Sequence, residues 1–256
     1  MEFAETLLVL IVAFGALFVV ASFKQDNSIV DIFWGIGFIV AAIFSYLFYA
    51  DGLWYQTLAT LLIVIWGLRL SLRILKRNWG KGEDWCYKKW REQWRYFYIR
   101  SFFQIFMLQA LLCFTVAIPV IAINTVNTDA VNTYLVAAGI LVWMVGFFFE
   151  AVGDWQLDKF MARKDRNKNE VLQSGLWRYT RHPNYFGEAT QWWGVGAIAV
   201  GIDIALWWTL LGPGVITFLL LKVSGVPMLE EKMQKNPEFR KYMKHTNKFI
   251  PGPSSR

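Results

Sequence analysis

Polar side chains recur at helical spacing in two apolar stretches of the second half of the chain. They are Glu150, Asp154 and Asp158 in the first stretch, and Asn184, Glu188 and Gln191 in the second. Side chains spaced by three or four residues share one face of a helix. Carboxylates and amides are costly in an apolar environment, so each such face is a candidate functional site. We therefore expect the two faces to converge on a cavity that holds a polar ligand.

A basic and aromatic segment leads directly into the second of these faces. Residues 174–188 read S-G-L-W-R-Y-T-R-H-P-N-Y-F-G-E. Pro183 suits the first turn of a helix, and the free N–H groups at a helix N-terminus favour phosphate or carboxylate groups. Arg178 and Arg181 add cationic donors, and the polar face that follows adds acceptors. This order predicts a site for a large, partly anionic ligand; the alternative is a loop that binds lipid headgroups.

Ionisable residues also occur in the first half of the chain. Asp31 opens the second apolar stretch, and Arg69 and Arg73 lie one turn apart near the end of the third. The two arginines either face the same cavity or pair with Asp31 or Asp154 to hold helices together. The isolated amides are expected to form hydrogen bonds between helices. These amides are Gln56, Gln104 and Gln109.

The composition indicates a protein embedded in a membrane. Of the 256 residues, 56% are hydrophobic and only 18% are charged, whereas a soluble domain has about 45–50% and about 25%. This balance excludes a disordered, highly charged tail and disfavours a soluble enzyme. The expected fold is all-α, with one polytopic membrane domain over residues 1–256.

Seven stretches are long and apolar enough to cross a bilayer as helices. They are residues 3–22, 29–50, 53–75, 102–123, 133–153, 185–200 and 204–223. The last two are separated at Gly201 and Asp203, where a tight turn is expected; one continuous helix is the competing interpretation. Residues 1–123 are expected to face the substrate, and residues 133–256 to bind a cofactor.

The basic residues predict the orientation in the membrane. All 26 lysines and arginines fall on one side of the predicted spans. The positive-inside rule makes that side cytoplasmic, with the N-terminus outside and the C-terminus inside. The net charge of +7 is thereby explained by topology and anionic membrane lipids, and no nucleic acid partner is expected.

Several common sites are excluded by the sequence. Cys86 and Cys113 are not expected to form a disulfide, and His182 and His245, the only histidines, are too few for a zinc site. Gly194-Val195-Gly196 follows no strand and lacks the third glycine of a dinucleotide fingerprint. Any cofactor must therefore be held by helix ends and loops.

The segment 175–188 resembles the signature of the steroid 5-alpha-reductase-like integral membrane family. The closest similarity is to its largely uncharacterised bacterial and protist branch, a domain of unknown function. Sterol reductases and isoprenylcysteine carboxyl methyltransferases share variants of the run R-H-P-N-Y-x-G-E. Further stretches support the resemblance over most of the chain, namely residues 31–35, 66–70, 153–160, 227–231 and 249–251.

The resemblance implies a seven-helix fold that binds NADPH from the cytoplasmic side. It implies reduction of an activated carbon–carbon double bond in a lipophilic, steroid-like or isoprenoid substrate that enters from the bilayer. Ten residues are implied as cofactor contacts. These are Asp154, Arg163, Arg178, Tyr179, Arg181, His182, Asn184, Tyr185, Glu188 and Glu231.

One departure from the family pattern affects the chemistry. The characterised steroid reductases use a Gln-Glu pair in an early span, with a nearby tyrosine, to polarise the substrate carbonyl. The second span here contains no glutamate, so Asp31 and Tyr185 are the candidate catalytic groups.

Two other functions are compatible with parts of the sequence. The R-H-P motif and the Glu230-Glu231 pair also fit a membrane methyltransferase that uses S-adenosylmethionine. A transporter or lipid-binding protein would place charged residues near the middle of several spans, whereas here they gather at one side.

Overall fold

The computed structural model describes residues 1–167 and 169–253. Within these residues, the long apolar runs form helices. The chain is 78% helical, and the described residues contain no strand, which confirms the all-α prediction. Cys86 and Cys113 are free cysteines, as predicted. Six helical stretches among the described residues are long and apolar enough to cross a membrane. They are Glu2–Lys24, Ile29–Tyr49, Trp54–Asn78, Phe97–Thr125, Thr133–Met161 and Ile204–Met233.

The sixth of the seven predicted spans, residues 185–200, forms a helix but is less apolar than the other six. This helix, Pro183–Ile202, carries Asn184, Glu188 and Gln191, and it does not belong to the six stretches above. The polar face that makes it a candidate site is the feature that lowers its hydropathy. The chain is therefore a multi-pass helical membrane protein with six candidate spans among the described residues, and the seventh span stays a prediction.

The described residues form two compact units. The N-terminal unit comprises residues 1–131 and 202–211, and the C-terminal unit comprises residues 132–201 with 212 onwards. The N-terminal unit contains α1 (Glu2–Lys24), α2 (Ile29–Tyr49), α3 (Trp54–Asn78), α4 (Trp85–Gln93), α5 (Phe97–Ser101) and α6 (Leu108–Thr125), with a π-helical stretch at Phe102–Met107 and a 3₁₀ turn at Ile204–Leu210.

Helix α2 is the centre of the N-terminal unit, since it packs against α1, α3 and α6. Gly35 of α2 lies against α3 so closely that a Cβ atom there would be 2.5 Å from the carbonyl oxygen of Gly67. Rings of Phe38 and Trp66 fill the adjacent interface, with centroids 5.2 Å apart. Glycine thus permits backbone contact, and aromatic side chains fill the remaining space.

A buried amide network joins α2, α3 and α6. Nδ2 of Asn124 donates to the hydroxyl of Ser45 at 2.9 Å and to that of Thr60 at 3.2 Å. Gln56 donates to the carbonyl of Val126 at 3.0 Å and to that of Asn124 in α6 at 3.4 Å, which confirms the interhelical bond predicted for Gln56. Gln104 instead accepts from Arg100 four residues earlier, so its contact is local.

The C-terminal unit contains α7 (Thr133–Met161), α8 (Pro183–Ile202), α10 (Val226–Met233) and α11 (Pro237–His245). A 3₁₀ turn at Gly175–Arg178 precedes α8, and α9 (Leu211–Phe218) continues into a π-helical stretch at Leu219–Val223. Helix α8 ends at Ile202, and the carboxylate of Asp203 accepts from the backbone of Ala205 at 2.8 Å. The predicted break is confirmed, and a single long helix is not formed.

Glycines at intervals of seven residues bring α7 and α8 into backbone contact. They are Gly139, Gly146 and Gly153 on α7, and Gly187, Gly194 and Gly201 on α8. A Cβ atom on Gly146 would lie 2.6 Å from the carbonyl oxygen of Gly187, and one on Gly194 would lie 2.7 Å from the backbone nitrogen of Trp143. Because seven residues are close to two helical turns, the glycines stay on one face along the whole contact.

The chain end after α11 lies along the segment that precedes α8. The carbonyl of Asn247 accepts from the backbone N–H of Arg181 at 2.9 Å, and the N–H of Gly252 donates to the carbonyl of Tyr179 at 3.1 Å. The hydroxyl of Thr180 donates to the carbonyl of Phe249 at 2.7 Å. The R-Y-T-R-H segment is therefore held by the chain's own C-terminal residues.

Candidate functional site

The close contact of α7 and α8 buries their polar faces against each other. Glu150 and Asp154 of α7 are 2% and 3% exposed, and Glu188 and Gln191 of α8 are 8% and 1% exposed. Nε2 of Gln191 donates a hydrogen bond to Oε2 of Glu150. The structure thus brings together carboxylates and an amide that the sequence places 41 residues apart.

The first turn of α8 rests on α7 beside Asp154. A Cβ atom on Gly153 would lie 3.1 Å from Cγ of Pro183 and 3.3 Å from the backbone nitrogen of Asn184. Asn184 and Tyr185 are half-buried at this position. Of the ten predicted cofactor contacts, Asp154, Asn184, Tyr185 and Glu188 therefore lie on the packed ends of α7 and α8.

The side chain of Arg181 is buried and bonds to other groups of the protein. It is 6% exposed, and its Nε donates to Oε1 of Glu230 at 2.8 Å. Its Nη1 donates to the carbonyls of Thr246 at 2.6 Å and Met243 at 3.2 Å. We expected this guanidinium to be available for an anionic ligand, but it joins α10 to the end of α11.

His182 shares the same carboxylate. Its Nε2 lies 3.0 Å from Oε1 of Glu230, its ring stacks on that of Tyr185 with centroids 5.6 Å apart, and the residue is 1% exposed. Burial lowers the pKa of His182 below its usual value, although the hydrogen bond with Glu230 opposes this shift. The imidazole is therefore neutral near pH 7.

The acid that meets Arg181 and His182 is Glu230, whereas the sequence assigned Glu231 to the site. Glu230 is 5% exposed and Glu231 is exposed. Val226 and Glu230 are four residues apart and are both buried on α10. Residues at this spacing share one face of a helix, so Glu230, and not Glu231, lies on the same face as the apolar Val226. That spacing is the sequence signal that distinguishes the two glutamates.

The other predicted cofactor contacts lie on the surface. Arg178 and Tyr179 are exposed. Arg163 is also exposed, and its Nη atoms donate to Asp165 at 3.0 Å and Glu170 at 2.9 Å. All three residues lie in the connection between α7 and α8, and they are open to solvent.

In the N-terminal unit, the candidate Asp31 has a tyrosine as its partner. The hydroxyl of Tyr87 in α4 donates to Oδ1 of Asp31 at 2.7 Å. Burial and the neighbouring carboxyl raise the pKa of Tyr87 well above its usual range, so it keeps its proton. The sequence did not single out Tyr87, because its partner is 56 residues away.

The surface of the described residues includes two clefts that no predicted cofactor contact lines. One, of about 440 Å³, is polar and lies where the α7–α8 connection meets α11. It is lined by Asn167, Asn169, Glu170, Val171, Gln173 and Glu238. The other, of about 310 Å³, is apolar and is lined by Phe18, Val19, Ser22, Phe23 and Tyr98. A ligand that reaches Asp154 or Glu188 must displace the side chains that cover them.

A family model described as a protein of unknown function (DUF1295) matches residues 17–246 of the chain. The chain has no significant match among curated proteins and none among solved structures.

Proposed function

Because the chain belongs to the DUF1295 family, which is steroid 5-alpha-reductase-like, we propose that it is an NADPH-dependent membrane reductase. Its substrate would be a lipophilic steroid-like or isoprenoid molecule with an activated carbon–carbon double bond. The observation that carries this proposal is the buried cluster of carboxylates and amides where α7 and α8 touch. Membrane helices rarely bury ionisable groups without a functional reason.

The residues of this cluster fit a dinucleotide by the chemistry of their donors and acceptors. Asp154, Asn184 and Glu188 offer acceptors for ribose hydroxyls and for the nicotinamide amide. Arg163 and Arg178, which are exposed, offer guanidinium groups for phosphates. NADPH, when bound, supplies a hydride, while these residues position it in the membrane and exclude water.

The topology that accompanies this function has seven spans. We propose that α8 is the span that completes the seven. Its glycine face is packed against α7, and its polar groups are shielded there from lipid. The basic ends of the helices would face the cytoplasm, with the N-terminus outside. The cofactor would then enter from the cytoplasm and the substrate from the bilayer.

The proton that balances the hydride needs a donor in the protein. Asp31, which accepts from Tyr87, and Tyr185, which stacks on His182, are the candidates. Either group, in its protonated form, would deliver a proton to the substrate as the double bond is reduced, and would then be reprotonated from water.

Calorimetry on the purified chain in lipid nanodiscs tests the proposal. NADPH should bind, and Asn184→Ala and Glu188→Ala should each weaken binding about tenfold or more, as expected when a hydrogen bond to a charged or polar ligand is lost. Gln104→Ala and Glu92→Ala are matched controls, since both side chains are exposed.

S-adenosylmethionine is titrated into the same samples. Binding of that ligand in place of NADPH would overturn the reductase and favour the methyltransferase. Unchanged NADPH binding in both site variants would remove the α7–α8 cluster from the cofactor site.

A further inference from the structure

His182 is held by one ring nitrogen and leaves the other without a hydrogen bond. Its Nε2 lies 3.0 Å from Oε1 of Glu230, and the same oxygen accepts from Nε of Arg181 at 2.8 Å. The residue is 1% exposed, and its Nδ1 is buried with no hydrogen-bond partner within residues 1–167 and 169–253. The ring of Tyr185 lies nearly parallel to the imidazole, at 14°. The orientation of the imidazole is thus fixed on one edge and on one face.

These contacts determine which nitrogen carries the proton. A carboxylate oxygen only accepts hydrogen bonds, so Nε2 must be the nitrogen that bears hydrogen. Burial lowers the pKa of His182, which keeps the ring neutral near pH 7. In a neutral ring protonated on Nε2, the other nitrogen, Nδ1, is an acceptor. A buried acceptor without a donor costs free energy that a ligand can recover.

We propose that Nδ1 of His182 accepts a hydrogen bond from the bound cofactor, and that the group it meets is a hydroxyl or an amide N–H. This inference rests on the proposed function and names the kind of contact within it. A phosphate oxygen carries no proton to donate near pH 7, so it does not fit an acceptor. The ribose hydroxyls and the carboxamide of a nicotinamide nucleotide do fit. Glu230 acts through His182 as a positioning residue, because it fixes the tautomer.

Nitrogen NMR observes this contact directly, because the chain has only two histidines. The full chain, labelled with ¹⁵N-histidine and held in lipid nanodiscs, should give ring signals from buried His182 and exposed His245. The variant His245→Gln assigns them. Before ligand addition, His182 should show one protonated and one unprotonated nitrogen. Saturating NADPH should move the unprotonated signal in the direction of an accepted hydrogen bond and leave His245 unchanged.

Two variants separate the ligand contact from the contact with Glu230. His182→Asn places an amide oxygen near the position of Nδ1 and cannot reach Glu230. His182→Gln reaches toward Glu230 and leaves nothing at Nδ1. We expect His182→Gln to lower NADPH affinity at least about tenfold and to keep the thermal stability. We expect His182→Asn to keep the affinity within about threefold and to unfold at a lower temperature. Wild-type affinity in His182→Gln, or the reverse order of the two variants, overturns the inference.

The binding measurement distinguishes this inference from the function on which it rests. NADPH that binds while Nδ1 does not respond overturns the role of His182 and leaves the reductase standing. A chain that does not bind NADPH overturns the reductase. In that case the same spectra are recorded with S-adenosylmethionine, which also carries ribose hydroxyls. A response of Nδ1 then supports His182 as an acceptor for that cofactor, and no response to either ligand overturns it.

Discussion

Each of the two units buries a polar cluster, and the two clusters differ in charge. The N-terminal unit buries Asn124, Ser45 and Gln56 at 0% exposure each. All are neutral, and Gln56 uses both ends of its amide, since its oxygen accepts from the backbone of Asp51 and Leu53 and its nitrogen donates to Val126. Such a network joins helices and leaves little capacity for a ligand.

The cluster of the C-terminal unit contains ionisable groups in place of neutral ones. Glu150, Asp154 and Glu188 are all buried there, and Nδ1 of His182 and Oε1 of Gln191 are buried atoms with no hydrogen bond to any described residue. Spare buried acceptors cost stability, and a ligand can recover that cost. The comparison therefore separates a cluster that stabilises the fold from a cluster suited to binding.

The largest expected effect comes from Arg181, which makes the C-terminal cluster partly structural. Arg181→Met leaves the buried carboxylate of Glu230 without its ion pair, and removing one partner of a buried pair typically costs about 3–5 kcal/mol. The thermal unfolding midpoint should fall sharply. Arg240→Met is the control, since Arg240 is exposed and bonds only a backbone carbonyl among its described contacts. An unfolding midpoint equal to that of the control would show that the Arg181–Glu230 pair is dispensable.

The next largest effect is expected for Asn124→Ala, which should lower the stability of the fold without weakening NADPH binding. Asn124→Ala removes the donor shared by Ser45, Thr60 and the carbonyl of Ala42. We expect the free energy of unfolding to fall by about 1–3 kcal/mol, while NADPH affinity stays at the wild-type value. Weaker NADPH binding in this variant would mean that the two clusters do not have separate roles.

The largest effect on binding is expected at Asp154. Asp154→Asn keeps the shape of a side chain that is 3% exposed and removes its charge. NADPH affinity should fall about tenfold, or about 1.4 kcal/mol. Asp158→Asn is a matched control, because Asp158 is exposed one turn later on α7. Equal affinities of the two variants would place Asp154 outside the cofactor site.

The smallest effect is a dependence of stability on pH that only the C-terminal cluster should show. The pKa of His182 is lowered from its usual 6.5 by burial, although Glu230 opposes the shift. The unfolded chain then binds a proton at higher pH than the folded chain does. The stability contributed by His182 is complete above pH 6.5 and is lost as the pH falls from 6.5 through the lower, folded-state pKa.

Thermal unfolding between pH 8 and pH 5 measures this contribution. The wild type should lose stability toward pH 5, and His182→Asn should lose less. The deficit of Asn124→Ala should be equal at both pH values, since its partners do not titrate. A deficit in Asn124→Ala that grows as the pH falls would contradict the comparison.

Much of the fold could be predicted because hydropathy is a local signal. The second span was expected at 29–50 and is observed at Ile29–Tyr49. Helix α7 runs to Met161, eight residues beyond the predicted 153, because Asp154 and Asp158 interrupt the hydropathy without interrupting the helix. The number of spans depends on α8 for the same reason, since the polar face of α8 lowers its hydropathy.

The site could be predicted only in part, because its partners are distant in the chain. The polar faces of α7 and α8 follow from spacing alone. The contacts of Arg181 do not follow from spacing, since its partners Glu230 and Thr246 are 49 and 65 residues away in the chain. Residue type indicated a cation for phosphate, but contacts with the C-terminal residues decide how Arg181 is used. The glycines repeated every seven residues were readable in the sequence and would have predicted the α7–α8 contact.

The paired glycines of α7 and α8 also restrict how this part of the chain can change length. One residue inserted between Gly187 and Gln191 would rotate everything after it by about 100°. Bulky side chains would then replace Gly194 and Gly201 against α7, and Gln191 would turn away from Glu150. Family members should therefore tolerate insertions in the exposed start of the α7–α8 connection, at residues 162–165, far better than within this helix pair.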